Sequence, residues 1–236
     1  IIHYYGIGGI GKTTLLKQIQ LEISKKYNDS HEMSVYYNFE KNKSKEDFLF
    51  ILSRQIMLRN KGTNFPIFDY AFEKWMTYAG KTKAEIDSYV AAKENEILTI
   101  EGAIDQIGEI ASDFLPFVNV AAAAAKGIIG LCEKESQKLI LTNNENKDFY
   151  DEIKRFEGDK IEKNLVRYFA HDALKILNKF TNTFVIILDG YEALVSILKD
   201  GDERANLADT WLHREGDGLV RQLPNVCWVV AGREQL

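Results

Sequence analysis

Apolar residues follow two alternating patterns along the chain. Short runs rich in β-branched and aromatic residues occupy 1–5 (IIHYY), 33–39 (MSVYYNF), 184–188 (FVIIL) and 226–230 (VCWVV), and such runs predict strands. Between them the spacing lengthens to that of helices. Leu15, Leu16, Ile19 and Ile23 predict a helix over about 13–27. Phe48, Leu49, Leu52 and Ile56 predict another, opened by Ser44 as N-cap with Asp47 three residues on, and ending near Asn60. Gly62, Thr63, Asn64 and Pro66 break the chain before a short aromatic helix carrying Phe68, Ala71, Phe72 and Trp75. A short helix over 149–156 ends at Gly158. Asp159 then caps a helix lined by Ile161, Leu165, Phe169, Ala173, Ile176 and Phe180. Further helices are predicted at 193–198 and 205–213, followed by a glycine-rich turn at Gly216 and Gly218. The FVIIL run shows no alternation, which suits a parallel strand covered on both faces. Strands alternating with helices predict an α/β fold around a right-handed, mostly parallel sheet.

Residues 82–147 read as a helical insertion. Ile97, Ile100, Ile104, Ile107 and Ala111 recur in steps of three and four, a seam that calls for a partner helix. Pro116 breaks that helix, and 117–138, with five consecutive alanines, supplies the partner of a helical hairpin closed by a polar turn at 143–146. The stretch 114–132 is nearly uncharged over a spanning length. Lys126 inside it would cost roughly 2.5–3.5 kcal/mol near a span's centre, and alanine does little to offset that. A packed helix, not a membrane span, is the expectation.

Composition narrows the classes. The 236 residues are 45% hydrophobic and 28% charged, an ordinary globular balance. The net charge of -5 argues against a general nucleic-acid glove. Cys132 and Cys227 lack metal-ligand spacing and read as buried reduced thiols of a cytoplasmic protein. No signal peptide is visible. Residue 1 is Ile and already lies in a strand, and the chain stops just after another, so one domain of a longer protein is expected.

The densest chemistry lies at 6–14, GIGGIGKTT, between the first strand, expected to be buried, and the first helix. Gly6, Gly11, Lys12 and Thr13 fit G-x-x-x-x-G-K-[ST]. Glycines there let backbone N–H groups curl round a polyphosphate, with Gly8, Gly9, Ile10 and Thr14 completing the cradle and the helix N-terminus adding its own donors. Lys12 can reach the β- and γ-phosphates, and the Thr13 hydroxyl can ligate Mg²⁺. In a parallel sheet, ligands bind beyond the carboxyl ends of the strands, and two more strands end in chemistry. Asp189 follows FVIIL and can hold the Mg²⁺ water shell opposite Thr13. Glu192, three residues on, can orient or deprotonate an attacking water. Arg233 ends the last strand and can stabilise γ-phosphate charge. Plain alternatives stand beside these: a turn Asp before Gly190, a solvated first-turn Glu favoured by the helix dipole, and a surface Arg. His171 reads as solvated or helix-packing; His3, His31 and His213 show no metal spacing, and Lys41, Lys43 and Lys45 read as a solvated loop. No Asn-Lys-x-Asp motif follows a strand, which favours ATP over GTP.

Together these motifs resemble the STAND class of P-loop NTPases, relatives of the NACHT and NB-ARC switch modules. GIGGIGKTT is similar to their phosphate loop. FVIILDGYEAL is similar to their Walker B, with Asp189 and Gly190 matching the Asp-Gly of NACHT modules and Glu192 a further acidic residue. WVVAGR is similar to the strand ending in their sensor arginine. The resemblance implies a three-layer P-loop fold of ASCE type, ATP/ADP and Mg²⁺ as ligands, and slow hydrolysis. It also implies an ADP-locked monomer that exchanges for ATP and self-associates into an oligomer. The resemblance leaves the trigger unnamed, a phage protein in anti-phage defence being one candidate, and implies that it is sensed by domains outside this chain. There are departures: one Asp follows the strand where NB-ARC modules have two, and the lid and winged-helix segments that clamp ADP are absent. The insertion at 82–147 lies outside the resemblance. Two other readings stay open: a nucleotide-binding scaffold that does not hydrolyse, and a motor-type AAA+-like ATPase on nucleic acid. The acidic balance and the lack of an aromatic–basic stripe count against the motor.

Overall fold

The computed structural model describes residues 1–6, 10–26, 34–40, 44–60, 63–105, 144–179, 183–196, 210–214 and 217–233. The four apolar runs form β1 (Ile2–Tyr5), β2 (Ser34–Asn38), β3 (Phe184–Asp189) and β4 (Val226–Gly232). All pair in parallel, in the order β1-β4-β3-β2. β1 and β4 are neighbours, as the placement of Arg233 beside the first strand requires.

The helix α1 (Lys12–Lys26) carries the chain from β1 to β2 at the opposite edge and packs against β2, β3 and β4. From β2 the chain steps back through β3 to β4. The right-handed crossover rule puts helices of the outward and returning connections on opposite faces, so the architecture is compatible with three layers. In the returning half, α2 (Lys45–Arg59) packs on β2. After β3 come α7 (Tyr191–Ser196), which packs on β4, and the single turns α8 (Thr210–His213) and α9 (Leu219–Gln222). The core of this part includes Leu16, Val35, Phe39, Phe48, Ile186 and Trp228. Phe39 and Phe48 stack at 5.5 Å, and Trp211 closes on Phe48 at 5.1 Å. Ser44 caps α2 by accepting from the Asp47 amide at 3.0 Å.

The chain divides into two compact units, one made of Ile1–Lys61 with Ala173–Leu236 and the other of Gly62–Asp172. The second contains α3 (Pro66–Tyr78), α4 (Lys83–Asp105), α5 (Asn144–Arg155) and most of α6 (Gly158–Leu177). Phe65 stacks on Phe169 at 5.3 Å, and Phe68 meets Phe169 edge-on. Asp172 accepts from the Ile67 and Phe68 amides, both at 2.9 Å, and so caps α3 from another helix. Lys74 closes the far end of α5 by donating to the Ile153 and Lys154 carbonyls.

Several sequence expectations need correction. β1 is one of two edge strands among the described strands, and unlike β2 at the other edge it is open: Ile2 and Tyr5 are 48% and 58% exposed where a buried strand was expected. Leu15 is 43% exposed because Leu16, its neighbour about 100° round the helix, takes the core position. The aromatic helix is longer than expected, 13 residues. Residues 144–146 form the first turn of α5, not a polar turn before it; Asn146 is buried beside His171, Oδ1 to Nε2 at 3.1 Å. Gly158 opens α6 instead of ending α5, and Asp159 sits inside its first turn. Cys227 is half-buried, not buried, near the start of β4. Ile97 of the predicted seam is buried. Pro116, the 117–138 helix, the 114–132 stretch, Cys132, Phe180 and Gly216 lie outside the described residues. Among the described residues no helix is long and apolar enough to cross a membrane.

Candidate functional site

Strand register brings the candidate residues to one edge of the sheet. Asn38 is level with Asp189, Leu188 with Val230, Tyr4 with Ala231 and Tyr5 with Gly232. Asp189, the residue after Leu188, is therefore level with Ala231 and Tyr4. Gly6 and Arg233 follow one position beyond the Tyr5–Gly232 pair, so the carboxyl ends of β1, β4 and β3 coincide.

From β1 the chain enters the glycine-rich loop. Gly11 has φ of 87°, a left-handed value that side chains rarely adopt, and it turns the chain into α1. The Leu15 amide then donates to the Gly11 carbonyl at 2.9 Å, the first bond of the helical ladder. Lys12 folds back and donates to the Gly6 carbonyl at 2.6 Å, so its ammonium lies just beyond the end of β1. Ile10, Thr13 and Thr14 are exposed at the helix start, where α1 carries no acidic residue in its first turn. Unsatisfied first-turn amides and the helix dipole favour an anion there. Gly8 and Gly9 lie outside the described residues.

The Thr13 hydroxyl donates to Asp189 Oδ2 at 2.8 Å. Asp189 is only 4% exposed, and a buried carboxylate must be hydrogen-bonded to be tolerated. Two further donors meet that need: the Tyr36 hydroxyl reaches the same Oδ2 at 2.7 Å, and the Gly190 amide holds Oδ1 at 2.9 Å. Gly190 has φ of 66°, again a value suited to glycine, which lets the chain turn immediately behind the carboxylate. Burial, and then the adjacent carboxylate, push the Tyr36 phenol well above its ordinary range, so it stays a neutral donor.

Glu192 and Arg233, read separately from the sequence, form an ion pair, Arg233 Nε to Glu192 Oε1 at 3.2 Å. Arg233 is 63% exposed, and the Gly232 Cα side lies against the first turn of α7. Glu192 is more buried, at 21%, but with the arginine side open to water the pair contributes about 0–1 kcal/mol. Its interest is positional, since it joins the end of β4 to the start of α7.

Comparisons with protein-family models, with curated proteins and with solved structures find no match for this chain. The functional reading therefore stands on residues and geometry.

Among the described residues there is no group of three or more His, Cys, Asp or Glu able to hold a metal ion. Mg²⁺ does not need such a cage; it commonly takes one or two carboxylates and completes its shell with water and phosphate. The oxygens of Thr13 and Asp189 fit that chemistry. The Thr13 oxygen can donate its proton to Asp189 and keep a lone pair for the cation.

Tyr36 was missed by sequence reasoning. YY in MSVYYNF does not reveal which tyrosine faces the site. Counting back two residues from Asn38, the partner of Asp189, selects Tyr36, but only once β2 is known to pair with β3 in this register.

Proposed function

We propose that this chain is the nucleotide-binding switch domain of a STAND-class P-loop ATPase of ASCE type, binding ATP·Mg²⁺ through 6–14 and hydrolysing it slowly. The 2.8 Å bond between Thr13 and Asp189 is the observation that carries the reading. It joins a G-x-x-x-x-G-K-T loop to the acid at the end of a buried strand, 176 residues away.

In this reading Lys12 exchanges the Gly6 carbonyl for β- and γ-phosphate oxygens, and loop and helix amides bind the remainder. Thr13 and Asp189 hold Mg²⁺, which when bound offsets the charge that develops on the phosphates. Glu192, released from Arg233, accepts a proton from a water as its oxygen attacks the γ-phosphorus and the bond to the ADP oxygen breaks. Arg233 turns to the γ-phosphate, making that group the two-state signal. The output is self-association into an oligomer, and the trigger, of which a phage protein is one kind, acts on segments outside this chain.

A second reading is favoured by one contact. Glu192 Oε1 is engaged by Arg233, and its Oε2 is buried without a hydrogen-bond partner, so neither oxygen is offered to a water. A nucleotide-binding module that barely turns over would look the same.

Calorimetric ATP titration and phosphate release test both. Lys12→Ala should weaken nucleotide binding roughly a hundredfold or more, the loss of charge-assisted bonds to phosphate. Glu192→Gln should retain binding and lower turnover at least a hundredfold. Unchanged turnover in that variant would favour the scaffold; turnover stimulated by DNA would favour the motor; binding unaffected by Lys12→Ala would end the nucleotide reading.

A further inference from the structure

Asp189 is clamped by donors from three places in the chain. The Gly190 amide fixes Oδ1 at 2.9 Å, while Thr13 and Tyr36 converge on Oδ2 at 2.8 and 2.7 Å. These donors differ in kind. The Gly190 amide is set by the backbone. The Thr13 hydroxyl belongs to an exposed residue in the first turn of α1 and can rotate. The Tyr36 hydroxyl sits on a buried ring in β2, whose carbonyl at the same residue is held by Gln55 Nε2 of α2 at 2.9 Å. It is the rigid side-chain donor of the three.

Rigidity matters because of how an aspartate moves. The torsion that turns its carboxylate is broad and roughly two-fold, without deep wells. One amide on Oδ1 leaves the plane free to swing. A second fixed donor on Oδ2 sets the plane and turns that oxygen's remaining lone pair towards Thr13. An ionised carboxylate only accepts, so the phenol must donate. We propose that Tyr36 is a positioning residue for the metal: its hydroxyl holds the Asp189 carboxylate facing Thr13, in the orientation in which carboxylate and threonine hydroxyl would together hold Mg²⁺ with its water shell. The inference rests on the nucleotide reading and names a residue that the loop and strand motifs do not contain.

The test uses the whole chain with a fluorescent ADP, titrated with MgCl₂ and, separately, measured in EDTA. Tyr36→Phe keeps the ring and removes the hydroxyl. Loss of a hydrogen-bond partner behind a metal ligand typically weakens metal affinity about 10–100-fold. The expected result is a Mg²⁺ midpoint raised at least about tenfold, with affinity in EDTA unchanged. An unchanged midpoint overturns the proposal. So does an equal fall in affinity with and without Mg²⁺, which is the signature of a merely structural tyrosine. Should Tyr36→Phe fail to fold, 4-aminophenylalanine at position 36 keeps a weaker donor; its midpoint should rise by a smaller factor, and no rise overturns the proposal. Wild-type protein that binds no nucleotide would sink the nucleotide reading and this inference together. Wild-type binding that depends on Mg²⁺, beside an unmoved Tyr36→Phe midpoint, sinks this inference alone.

Discussion

Among the described residues each compact unit buries one aspartate, and the two are satisfied in different ways. Asp172, 2% exposed, accepts from the Ile67 and Phe68 amides at the start of α3. Asp189, 4% exposed, accepts from two hydroxyls and one amide at the end of β3. Burial and hydrogen-bond satisfaction do not separate them. The nature of the donors does. First-turn amides point along the helix axis and cannot turn away, so Asp172 is committed to capping α3 and complementing its dipole. Thr13 is exposed and its hydroxyl rotates, so Asp189 keeps a partner that can face a ligand as well. A buried acid becomes a candidate for chemistry when one of its donors can serve something else.

That contrast can be broken by substitution. The largest stability effect is expected from Asp172→Ala, which strands two buried amides at about 1–3 kcal/mol each. Urea unfolding should show a loss of about 3 kcal/mol, while folded molecules bind nucleotide as before. Altered affinity in the folded variant would erase the distinction between the two acids. Asp189→Asn should do the reverse. Its carbonyl still accepts from the two hydroxyls, but its NH2 takes the place of the oxygen that accepts from the Gly190 amide, so stability should fall by about 1–2 kcal/mol, less than for the two amides stranded by Asp172→Ala. The Mg²⁺ midpoint for nucleotide binding should rise about thirtyfold, near 2 kcal/mol; a Mg²⁺ titration that superimposes on wild type would remove Asp189 from the site. Ser44→Ala measures an ordinary lost cap in the same unit as Asp189: about 1 kcal/mol in urea unfolding, with no change in Mg²⁺ dependence. Smallest of all, Arg233→Ala should change stability by less than about 1 kcal/mol, because the arginine side of its pair with Glu192 is open to water. A larger loss would mean that the contact holds α7 to β4 and is not a contact free to open.

Much of the first unit was legible in advance. The IIHYY, MSVYYNF, FVIIL and VCWVV runs became the four strands, and Ser44 caps the helix it was expected to open. Such features depend on neighbours within a turn or a strand. The misreadings fall where tertiary contact overrides local preference. Asn144–Asn146 is polar enough for a turn, but the burial of Asn146 beside His171 extends the helix through it. Leu15 and Leu16 look equivalent in sequence, and only packing decides that Leu16 goes inside. Gly158 looks like a stop signal and is the first residue of α6.

The site divides along the same line. Gly11, Lys12 and Thr13 are adjacent, so their shared loop and helix start follow from the chain itself. Asp189 at the end of an apolar strand is also written locally, as is Glu192 in the next helical turn. What joins these pieces is sheet order. Inserting β4 between β1 and β3 sets Arg233 beside Gly6, and the register of β2 on β3 chooses Tyr36 over Tyr37. Side chains along a strand alternate with a period of two, so a slip of one residue would send Tyr36 to the other face and bring Tyr37 in its place. No spacing along the chain encodes that choice. It is made by the pairing of strands separated by well over a hundred residues, where side-chain packing, not local propensity, selects the register.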